Sequence, residues 1–415
     1  FLSHAIGAEG LGLYQLILPL QGLMAALSYT GIQSALSRLI ASRLALQEKK
    51  EAYFSLVTGI FAAVFFSAVT GFLLFRHADF FASTILKAPG TSDLLRLTAA
   101  SIPLCAIHSC IDSYYYARKK ASVPAAVQLS EQAVRIGATY ILYLIFLSEG
   151  RPVTAMIAAG GSLAGEAAAS LISLLMVSFH FGNHPVKEKT SVKIFPLIKD
   201  LFTLSFPISL NRILLTLLGS IEAVLIPQML IRCGMTSSEA LKIYGIFTGM
   251  ALPLLLFPST LTTSAAVMLM PSVARMDALG DQKQIRHVTD QTFFLCMFLG
   301  FLCGSGFFLF GPFLGTLLFH SKTAGTYIRY LSFICPFLYT NTMLASILQG
   351  LGRPGRCLIH SAAGILIRIF SVVFMIPAIG IRGYFYGIFL GELLLSLLHV
   401  KALKFPYRQA GDNRL

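Results

Sequence analysis

The sequence predicts an all-α integral membrane protein, a polytopic bundle of eleven visible apolar helices. Charged residues make up only 12% of the 415 residues and hydrophobic residues 56%, whereas a soluble domain has about 25% charged residues. The apolar residues also form runs of the roughly 20 residues that a spanning helix needs. Nothing alternates in the ten-residue pattern of a membrane β-barrel. A disordered chain and a soluble enzyme are excluded, because so little charge cannot cover a soluble surface of this size.

The eleven segments are joined by short links. The most polar stretch near the middle, HPVKEKTSVK at 184–193, predicts a linker and has no room for a soluble domain. We therefore expect a first lobe at 1–183, an inter-lobe linker at 184–198, a second lobe at 199–403 and a cytoplasmic tail at 404–415. The predicted spans are 11–41, 53–75, 94–117, 121–147, 153–181, 199–230, 240–270, 290–319, 325–349, 356–379 and 382–402.

Three passages of the first half match passages of the second half, in the same order and at nearly one offset. Such a match indicates a duplicated bundle, with the two copies related about an axis along the membrane normal. The matches are AEGLGLYQL (8–16) with SEALKIYGI (238–246), EQAVRI (131–136) with GILIRI (364–369), and AGEAAASLISLL (164–175) with LGELLLSLLHV (390–400).

The duplication implies one span that the sequence lacks. The second half has six predicted spans and the first half five, because 11–41 matches 240–270. The counterpart of 199–230 would end at about residue 1. We therefore expect a missing first span before Phe1. Six spans per half would give both halves the same membrane orientation.

Lysine and arginine are distributed unevenly between the two ends of the predicted spans. Nineteen of the 32 follow the odd-numbered visible spans, nine lie at the other ends, and four arginines lie within spans. By the positive-inside rule the side with nineteen is cytoplasmic, and so is the C-terminus. The net charge of +14 is therefore mostly a topology signal that also favours anionic lipid head groups, and it predicts no nucleic-acid partner.

Cysteine, histidine and the known catalytic motifs give no sign of a metal site, a cofactor or an enzyme. The seven cysteines include no CxxC pair and lie mostly in apolar runs, which predicts packed thiols. The histidines show no metal-ligand spacing, and no nucleotide-binding or hydrolase motif occurs. Any transport would therefore be driven by an ion gradient or by substrate flux.

Four arginines lie within predicted spans, where an ionisable group is costly and is a functional candidate. Arg135 and Arg368 lie about 18–21 Å from the cytoplasmic ends of their spans, at 1.5 Å per residue. They are repeat mates, so we expect them on opposite walls of one water-accessible cleft. Arg212 lies at similar depth and Arg38 nearer the cytoplasmic end. A guanidinium group suits phosphate, so these four are candidate substrate-binding cations. Snorkelling, carbonyl capping and pairing with glutamate are the alternatives.

Four glutamates also lie within spans. Glu131 precedes Arg135 by four residues, the favoured order for a helix ion pair, and Glu222 lies toward the outer face. Both are candidates for coupling to H⁺ or Na⁺, with a structural ion pair and an interfacial position as the alternatives. Glu166 and Glu392 each follow a glycine, which predicts close helix packing.

Helix-breaking residues interrupt several spans. Pro207, Pro253, Pro258 and Gly31, the last within SYTGIQS at 28–34, are candidate gating positions. Bent helices beside a water-filled cavity suit a transporter, and ordinary use of proline and glycine in membrane helices is the alternative.

Three passages carry a family resemblance. GAEGLGLYQL (7–16), GIQSALSRLIA (31–41) and YYYARKKASVPAAVQLSEQAVRI (114–136) resemble the stage V sporulation protein B group of polysaccharide-biosynthesis membrane proteins. That group belongs to the multidrug/oligosaccharidyl-lipid/polysaccharide exporter (MOP) superfamily, with the lipid II flippases, the O-antigen flippases and the multidrug extruders of the MATE type. The resemblance covers essentially the whole chain by span order and repeat.

The resemblance implies two six-helix lobes in a V around a cavity that opens alternately to each side of a bacterial cell membrane. It implies a flippase whose cargo is a polyprenyl-pyrophosphate-linked cell-envelope oligosaccharide, acting in growth or in sporulation. A cation-coupled multidrug antiporter and a non-transporting scaffold stay open. Inward-facing arginines favour the flippase, inward-facing acids the antiporter, and lobes without a continuous cavity the scaffold. We expect a monomer. Many members of the group carry two further spans after the twelfth, which this sequence lacks.

Overall fold

The computed structural model describes residues 1–183 and 194–404. These two ranges are almost entirely helical, contain no strand, and include fourteen helices of ten or more residues. The helices are α1 Gly7–Ser28, α2 Thr30–Ala45, α3 Lys49–Arg76, α4 Ser92–Ala117, α5 Ser122–Ser148, α6 Met156–Asn183, α7 Ile194–Arg232, α8 Ser237–Ile246, α9 Ser259–Ala278, α10 Gln282–Phe319, α11 Lys322–Leu331, α12 Cys335–Gly350, α13 Pro354–Phe374 and α14 Ile381–Lys404.

The predicted fold class is confirmed. Ten helical segments of the described residues are long and apolar enough to cross a membrane. The segment predicted at 121–147 forms α5, which has 27 residues but is less apolar because Glu131 and Arg135 lie within it. Helix α7 begins at Ile194, so the last five residues of the predicted linker are helical, and Leu197 among them is buried. The rest of the predicted linker, 184–193, and the predicted tail after Lys404 lie outside the described residues.

The helices of the two halves pack in the same pairs. Helix α5 packs on α6 as α13 packs on α14, and α4 packs on α6 as α12 packs on α14. Helix α3 packs on α4 as α10 packs on the broken pair α11 and α12. This correspondence is the packing that the sequence repeat predicts.

A glycine lies at the same position of the contact in each half, between α5 and α6 in the first half and between α13 and α14 in the second. A Cβ on Gly165 would lie 3.1 Å from the Cβ of Arg135, and a Cβ on Gly391 would lie 3.0 Å from the Cγ of Arg368. Each glycine precedes one of the two glutamates for which close packing is expected. The close approach brings each glutamate beside the arginine of the neighbouring helix.

The two halves meet where α1 crosses α8. A Cβ on Gly12 would overlap the backbone carbonyl of Leu241, and a Cβ on Gly245 would overlap the carbonyl of Ala8. One hydrophobic core surrounds this crossing and includes buried residues from α1, α4, α7, α8, α11 and α14. The backbones therefore touch at the centre of the contact between the halves.

At the far ends of α2 and α9, these two helices lie in separate cores. Buried residues of α2 pack with those of α3, α4 and α7, whereas Val273 of α9 packs with Leu344 of α12 and Cys357 of α13. The halves are thus joined at the α1–α8 crossing and again where α7 of the second half packs on α2, and no shared core of the described residues joins α2 to α9.

The predicted helix breaks are found beside two of four positions. Gly31 follows the break at Tyr29 between α1 and α2, and Pro258 lies in the short break before α9. Pro253 lies in a helical segment that continues from Ser237 to Leu256, just after a π-helical turn at Phe247–Ala251, so the chain does not break there. The prediction of a break at Pro207 is wrong, because α7 continues unbroken through it. Packing against neighbouring helices lets a membrane helix tolerate the loss of the backbone hydrogen bond that proline removes.

The crossing of α1 and α8 predicts which glycines of α1 can be enlarged. Gly12→Ala should lower the free energy of unfolding by about 1–3 kcal/mol, the usual cost of overpacking, because its Cβ meets a backbone atom. Gly22→Ala is the matched control on the same helix, since a Cβ there meets nothing within 4 Å. Thermal unfolding in detergent, followed by a dye that reacts with the buried cysteines as they are exposed, measures both. Equal stability of the two variants would contradict the crossing.

Candidate functional site

A buried ion-pair cluster lies within the second half. Arg368 of α13 faces Glu222 of α7: its Nε lies 2.8 Å from Oε1, and its Nη2 donates to Oε2 at 2.8 Å. Its Nη1 lies 3.5 Å from Oε1 of Glu392 on α14. The hydroxyl of Tyr384 donates to Oε1 of Glu222 at 2.7 Å. Of the two close contacts with Glu222, the one from Nη2 has hydrogen-bond geometry, whereas Nε is buried and has no hydrogen-bond partner among the described residues.

Polar groups that carry no charge complete this cluster. The amide of Asn341 donates to Oε2 of Glu392 at 2.8 Å and accepts from the hydroxyl of Ser396 at 2.7 Å. A cavity of about 210 Å³ opens beside Arg368, Glu222 and Glu392. Tyr384, Asn341 and Ser396 are not among the predicted site residues, because they carry no charge that marks them within an apolar span. An asparagine in the middle of a span is a signal that could have found this network.

A second cluster lies within the first half. Arg135 of α5 donates to Glu131, one turn earlier on the same helix, and its Nη2 lies 3.4 Å from Oε1 of Glu166 on α6. His108 of α4 lies with its Nδ1 3.4 Å from Oε2 of Glu166. The sequence reasoning missed His108, because its contact with Glu166 depends on the packing of α4 against α6.

The cluster in the first half has side chains of the types that bind a cation. One ligand atom each from His108, Glu131 and Glu166 lies within 4.8 Å of the others. Imidazole and carboxylate groups bind transition metals or exchange protons. Spacing along the chain gives no metal motif here, since the three residues come from three helices. We found no other such group among the described residues.

The two repeat-mate arginines are paired with glutamate, which was the alternative to substrate binding. Arg135 binds acids of the first half and Arg368 binds acids of the second half, and they share no partner among the described residues. Each arginine faces two carboxylates. With the histidine neutral, each cluster therefore has a formal charge of −1 rather than the positive charge that a phosphate site needs.

Arg38 and Arg212 are different, because both side chains are exposed and neither has an ion pair within the described ranges. Helix α2, which contains Arg38, is fixed on α7. A Cβ on Gly31 would overlap Ser209, and Nη2 of Arg43 lies 3.0 Å from Oδ2 of Asp200. These contacts hold the two exposed arginines on neighbouring helices.

The exposed face of α2 is polar or small. It includes Arg38, Ala41, Ser42 and Ala45, and no large hydrophobic residue of α2 is exposed. A lipid-facing helix has the opposite character: α3 exposes a series of aromatic and aliphatic side chains, among them Phe61, Phe65 and Phe72. Acyl chains favour the second kind of surface. The α2 face has the composition of a surface in contact with water.

Helix α7 has two exposed stripes at four-residue spacing. One stripe is apolar and includes Phe202, Phe206 and Leu210. The other includes Lys199, Thr203, Pro207 and Asn211, with Arg212 adjacent. Residues next to each other in a helix point about 100° apart, so the two stripes face different surroundings. The polar stripe suits water and the apolar stripe suits lipid.

Comparison with protein families identifies the chain. A sequence profile of the polysaccharide biosynthesis protein family matches residues 1–277. The chain belongs to this family.

Curated and solved proteins resemble this polysaccharide biosynthesis family member over nearly its whole length. It is 28% identical to stage V sporulation protein B of Bacillus subtilis (strain 168), over 96% of this chain and 78% of that protein. Its fold matches an inward-facing multidrug resistance MATE family transporter of the MOP superfamily with a TM-score of 0.69, at 16% identity over 96% of this chain and 92% of that one. An outward-facing MATE family transporter matches with a TM-score of 0.68, at 14% identity over 95% and 89% of the two chains. The chain is therefore a multi-pass membrane protein of the polysaccharide biosynthesis family with the fold of MOP-superfamily transporters.

The burial of the Arg368 cluster predicts a large stability effect when one partner is removed. Glu222→Ala should lower the free energy of unfolding by about 3–5 kcal/mol, because it leaves a mostly buried guanidinium group without its main partner. Glu149→Ala is the control: it breaks the exposed pair with Arg151 and should cost less than about 1 kcal/mol. Thermal unfolding in detergent measures both.

A second variant separates loss of the ion pair from loss of packing. Glu222→Leu combined with Arg368→Met should recover most of the stability, because apolar residues of similar size replace both charges. If Glu222→Ala and Glu149→Ala had equal effects, the cluster would not contribute to the fold as we describe.

Proposed function

We propose that this protein is a flippase for a polyprenyl-pyrophosphate-linked cell-envelope oligosaccharide, of the peptidoglycan-precursor or polysaccharide type. The observation that carries the proposal is the exposed polar face of α2 and α7, with Arg38 and Arg212 and no carboxylate partner for either in the part of the chain that the structure describes. Family membership supports a role in envelope polysaccharide synthesis. The fold supports transport.

The chemistry of such a cargo fits this face. A pyrophosphate group has several anionic oxygens, and a guanidinium group binds two of them at once. The hydroxyl and amide groups of Thr203 and Asn211 lie on the same stripe of α7 and suit the hydroxyls of a sugar. In surroundings of lower dielectric than bulk water, such contacts are stronger. We do not assign the clusters of Arg135 and Arg368 to cargo binding, because their arginines are already paired with glutamates.

The arrangement of the halves supports alternating access. They join at the α1–α8 crossing and where α7 packs on α2, whereas α2 and α9 lie in separate cores. Rocking about the crossing would therefore form or release the α2–α7 contact as one opening closes and another opens. The fold is about equally similar to an inward-facing and an outward-facing transporter. We propose that the two lobes move in this way in a bacterial cell membrane, with the C-terminus cytoplasmic as the charge distribution predicts.

A cation-coupled multidrug antiporter is the second candidate, and a specific observation favours it. Each cluster has one carboxylate more than its arginine can neutralise, so each could exchange H⁺ or Na⁺. Glu131 and Glu222 are the candidate coupling residues. The same coupling would also serve a flippase, so the cargo decides between the two functions.

Flipping of a labelled lipid-linked oligosaccharide in vesicles tests the proposal. The reconstituted full-length gene product should flip the lipid, and Arg38→Gln with Arg212→Gln should slow flipping by about tenfold or more, the factor that losing charge-assisted hydrogen bonds implies. Arg151→Gln is the matched control, since Arg151 is exposed but pairs with Glu149. Quenching of the label in the outer leaflet measures the rate, with and without an imposed H⁺ or Na⁺ gradient.

Two results would contradict the proposal. One is no flipping by the wild type under any gradient while a cationic dye is exchanged for H⁺ or Na⁺, which would support the antiporter. The other is a wild-type rate in the double variant, which would remove Arg38 and Arg212 from the cargo path.

A further inference from the structure

A large apolar groove lies on the outer surface of the second half, separate from the α2–α7 face. Its volume is about 540 Å³. Half of its lining residues are phenylalanines, from α10, α12 and α14 and the short turn before α12: Phe301, Phe308, Phe333, Phe337 and Phe389. Phe301 and Phe333 are more than half exposed, so the groove opens sideways, where a membrane protein of this fold meets lipid.

The bend between α11 and α12 creates the groove. The chain makes a tight turn over Ser332–Ile334, and α10 has small residues at the matching level. A Cβ on Gly304 would lie 2.9 Å from the carbonyl oxygen of Ser332, and Ser305 follows it in the floor of the groove. Two pairs of rings form the walls: Phe308 with Phe333, and Phe337 with Phe389, at centroid distances of 5.4 and 5.6 Å.

One arginine lies against the wall of the groove: the guanidinium group of Arg329 lies over the ring of Phe308, 4.5 Å from its centroid. Arg382 lies 5.8 Å from the ring centroid of Tyr330, the residue after Arg329. It precedes the groove residue Phe389 by seven positions, so it lies on the same face of α14. Both arginines are exposed, and neither has an ion pair within 1–183 and 194–404. This end of the groove is therefore positively charged, with no carboxylate partner among the described residues.

The depth of these groups fits a lipid molecule. At 1.5 Å per residue, Phe308 and Phe301 lie about 16 and 27 Å from the Phe319 end of α10. Arg329 lies about 10 Å into the same leaflet, measured from Lys322 at the start of α11. The cations are thus near the level of head groups, and the aromatic walls reach down to the middle of the bilayer.

We propose that this groove binds an anionic phospholipid of the leaflet at the Phe319 end, with its phosphate between Arg329 and Arg382 and one acyl chain along the phenylalanine rings. The charge at this end of the groove selects an anionic head group over a zwitterionic one. The aromatic walls give the chain a defined seat.

The proposal assigns the groove to a resident lipid rather than to cargo. All of its lining residues come from α10, α12, α14 and the turn before α12, and none comes from the exposed polar face of α2 and α7. The groove backs onto the 210 Å³ cavity of the Arg368 cluster. Phe333 and Phe389 line the groove, whereas their neighbours Ile334 and Ile388 line the cavity. A lipid in the groove would therefore support the wall of that cavity.

The chain has no tryptophan, so a single introduced tryptophan reports on this groove alone. We would place it by Phe333→Trp and reconstitute the full chain in phosphatidylcholine vesicles with a minor fraction of brominated phosphatidylglycerol or, separately, brominated phosphatidylcholine. Bromine quenches only a tryptophan that it touches. The anionic lipid should show about a fivefold preference for the site, the factor that one arginine near the head groups supplies. Phe65→Trp, on the lipid-facing surface of α3, is the control and should show no preference.

Two further variants identify what holds the lipid. In the Phe333→Trp protein, Arg329→Gln with Arg382→Gln should abolish the preference, and Ser305→Phe should reduce quenching by both lipids because it fills the groove. Arg329→Gln alone provides the test if the double variant does not fold, and should reduce the preference. Circular dichroism and monodispersity in detergent check folding.

Three outcomes would overturn the proposal. One is equal quenching of Phe333→Trp by the two lipids, and another is a preference that survives loss of the arginines. The third is relief of quenching by unlabelled polyprenyl phosphate at a lower fraction than by unlabelled phosphatidylglycerol, which would assign the groove to a polyprenyl chain.

Discussion

The helices α1 and α8 cross with their backbones in contact, because Gly12 and Gly245 have no side chains to hold them apart. This contact joins the two halves of the chain at one end, within a core that both halves share. Beyond the crossing the chain bends, at Tyr29 in the first half and in the turns before Ser259 in the second half. Helices α2 and α9 therefore continue into separate cores, and a second close approach, of Gly31 on α2 to Ser209 on α7, joins the halves beyond the bend.

Membrane burial explains how the charges are arranged. An arginine at bilayer depth needs a partner or water. Arg135 and Arg368 have glutamate partners, supplied by neighbouring helices that approach closely at Gly165 and Gly391. Arg38 and Arg212 lie on faces with the composition of a water-lined surface. The first pair thus lies in ion pairs within each half, and the second pair has no ion-pair partner among the described residues.

Much of the fold could be predicted from the sequence, because hydrophobic length and repeat are local properties of the chain. The positions of most membrane helices, the duplication and the close packing beside Glu166 and Glu392 follow from residues along one stretch. Helix boundaries do so only in part, since the predicted spans 11–41 and 325–349 are each divided into two helices. The pairing of side chains between different helices does not follow from one stretch of the sequence. The contact of Glu222 with Arg368 joins residues 146 positions apart, and His108 reaches Glu166 only after α4 packs on α6. Whether the helix breaks at Pro207 could not be predicted either, because the packing of neighbouring helices decides it.

We propose that the polar stripe of α7 faces water at membrane depth while the apolar stripe faces lipid. Asn211 and Leu210 are neighbours at the same depth, both exposed, one on each stripe. The rate at which a membrane-impermeant thiol reagent labels Asn211→Cys and Leu210→Cys distinguishes the two surroundings, above the background of the seven natural cysteines, of which five are buried and two half-buried. Thiols react as thiolates, which form in water and not among acyl chains. We expect Asn211→Cys to be labelled many times faster than Leu210→Cys, and equal rates would contradict a water-facing stripe.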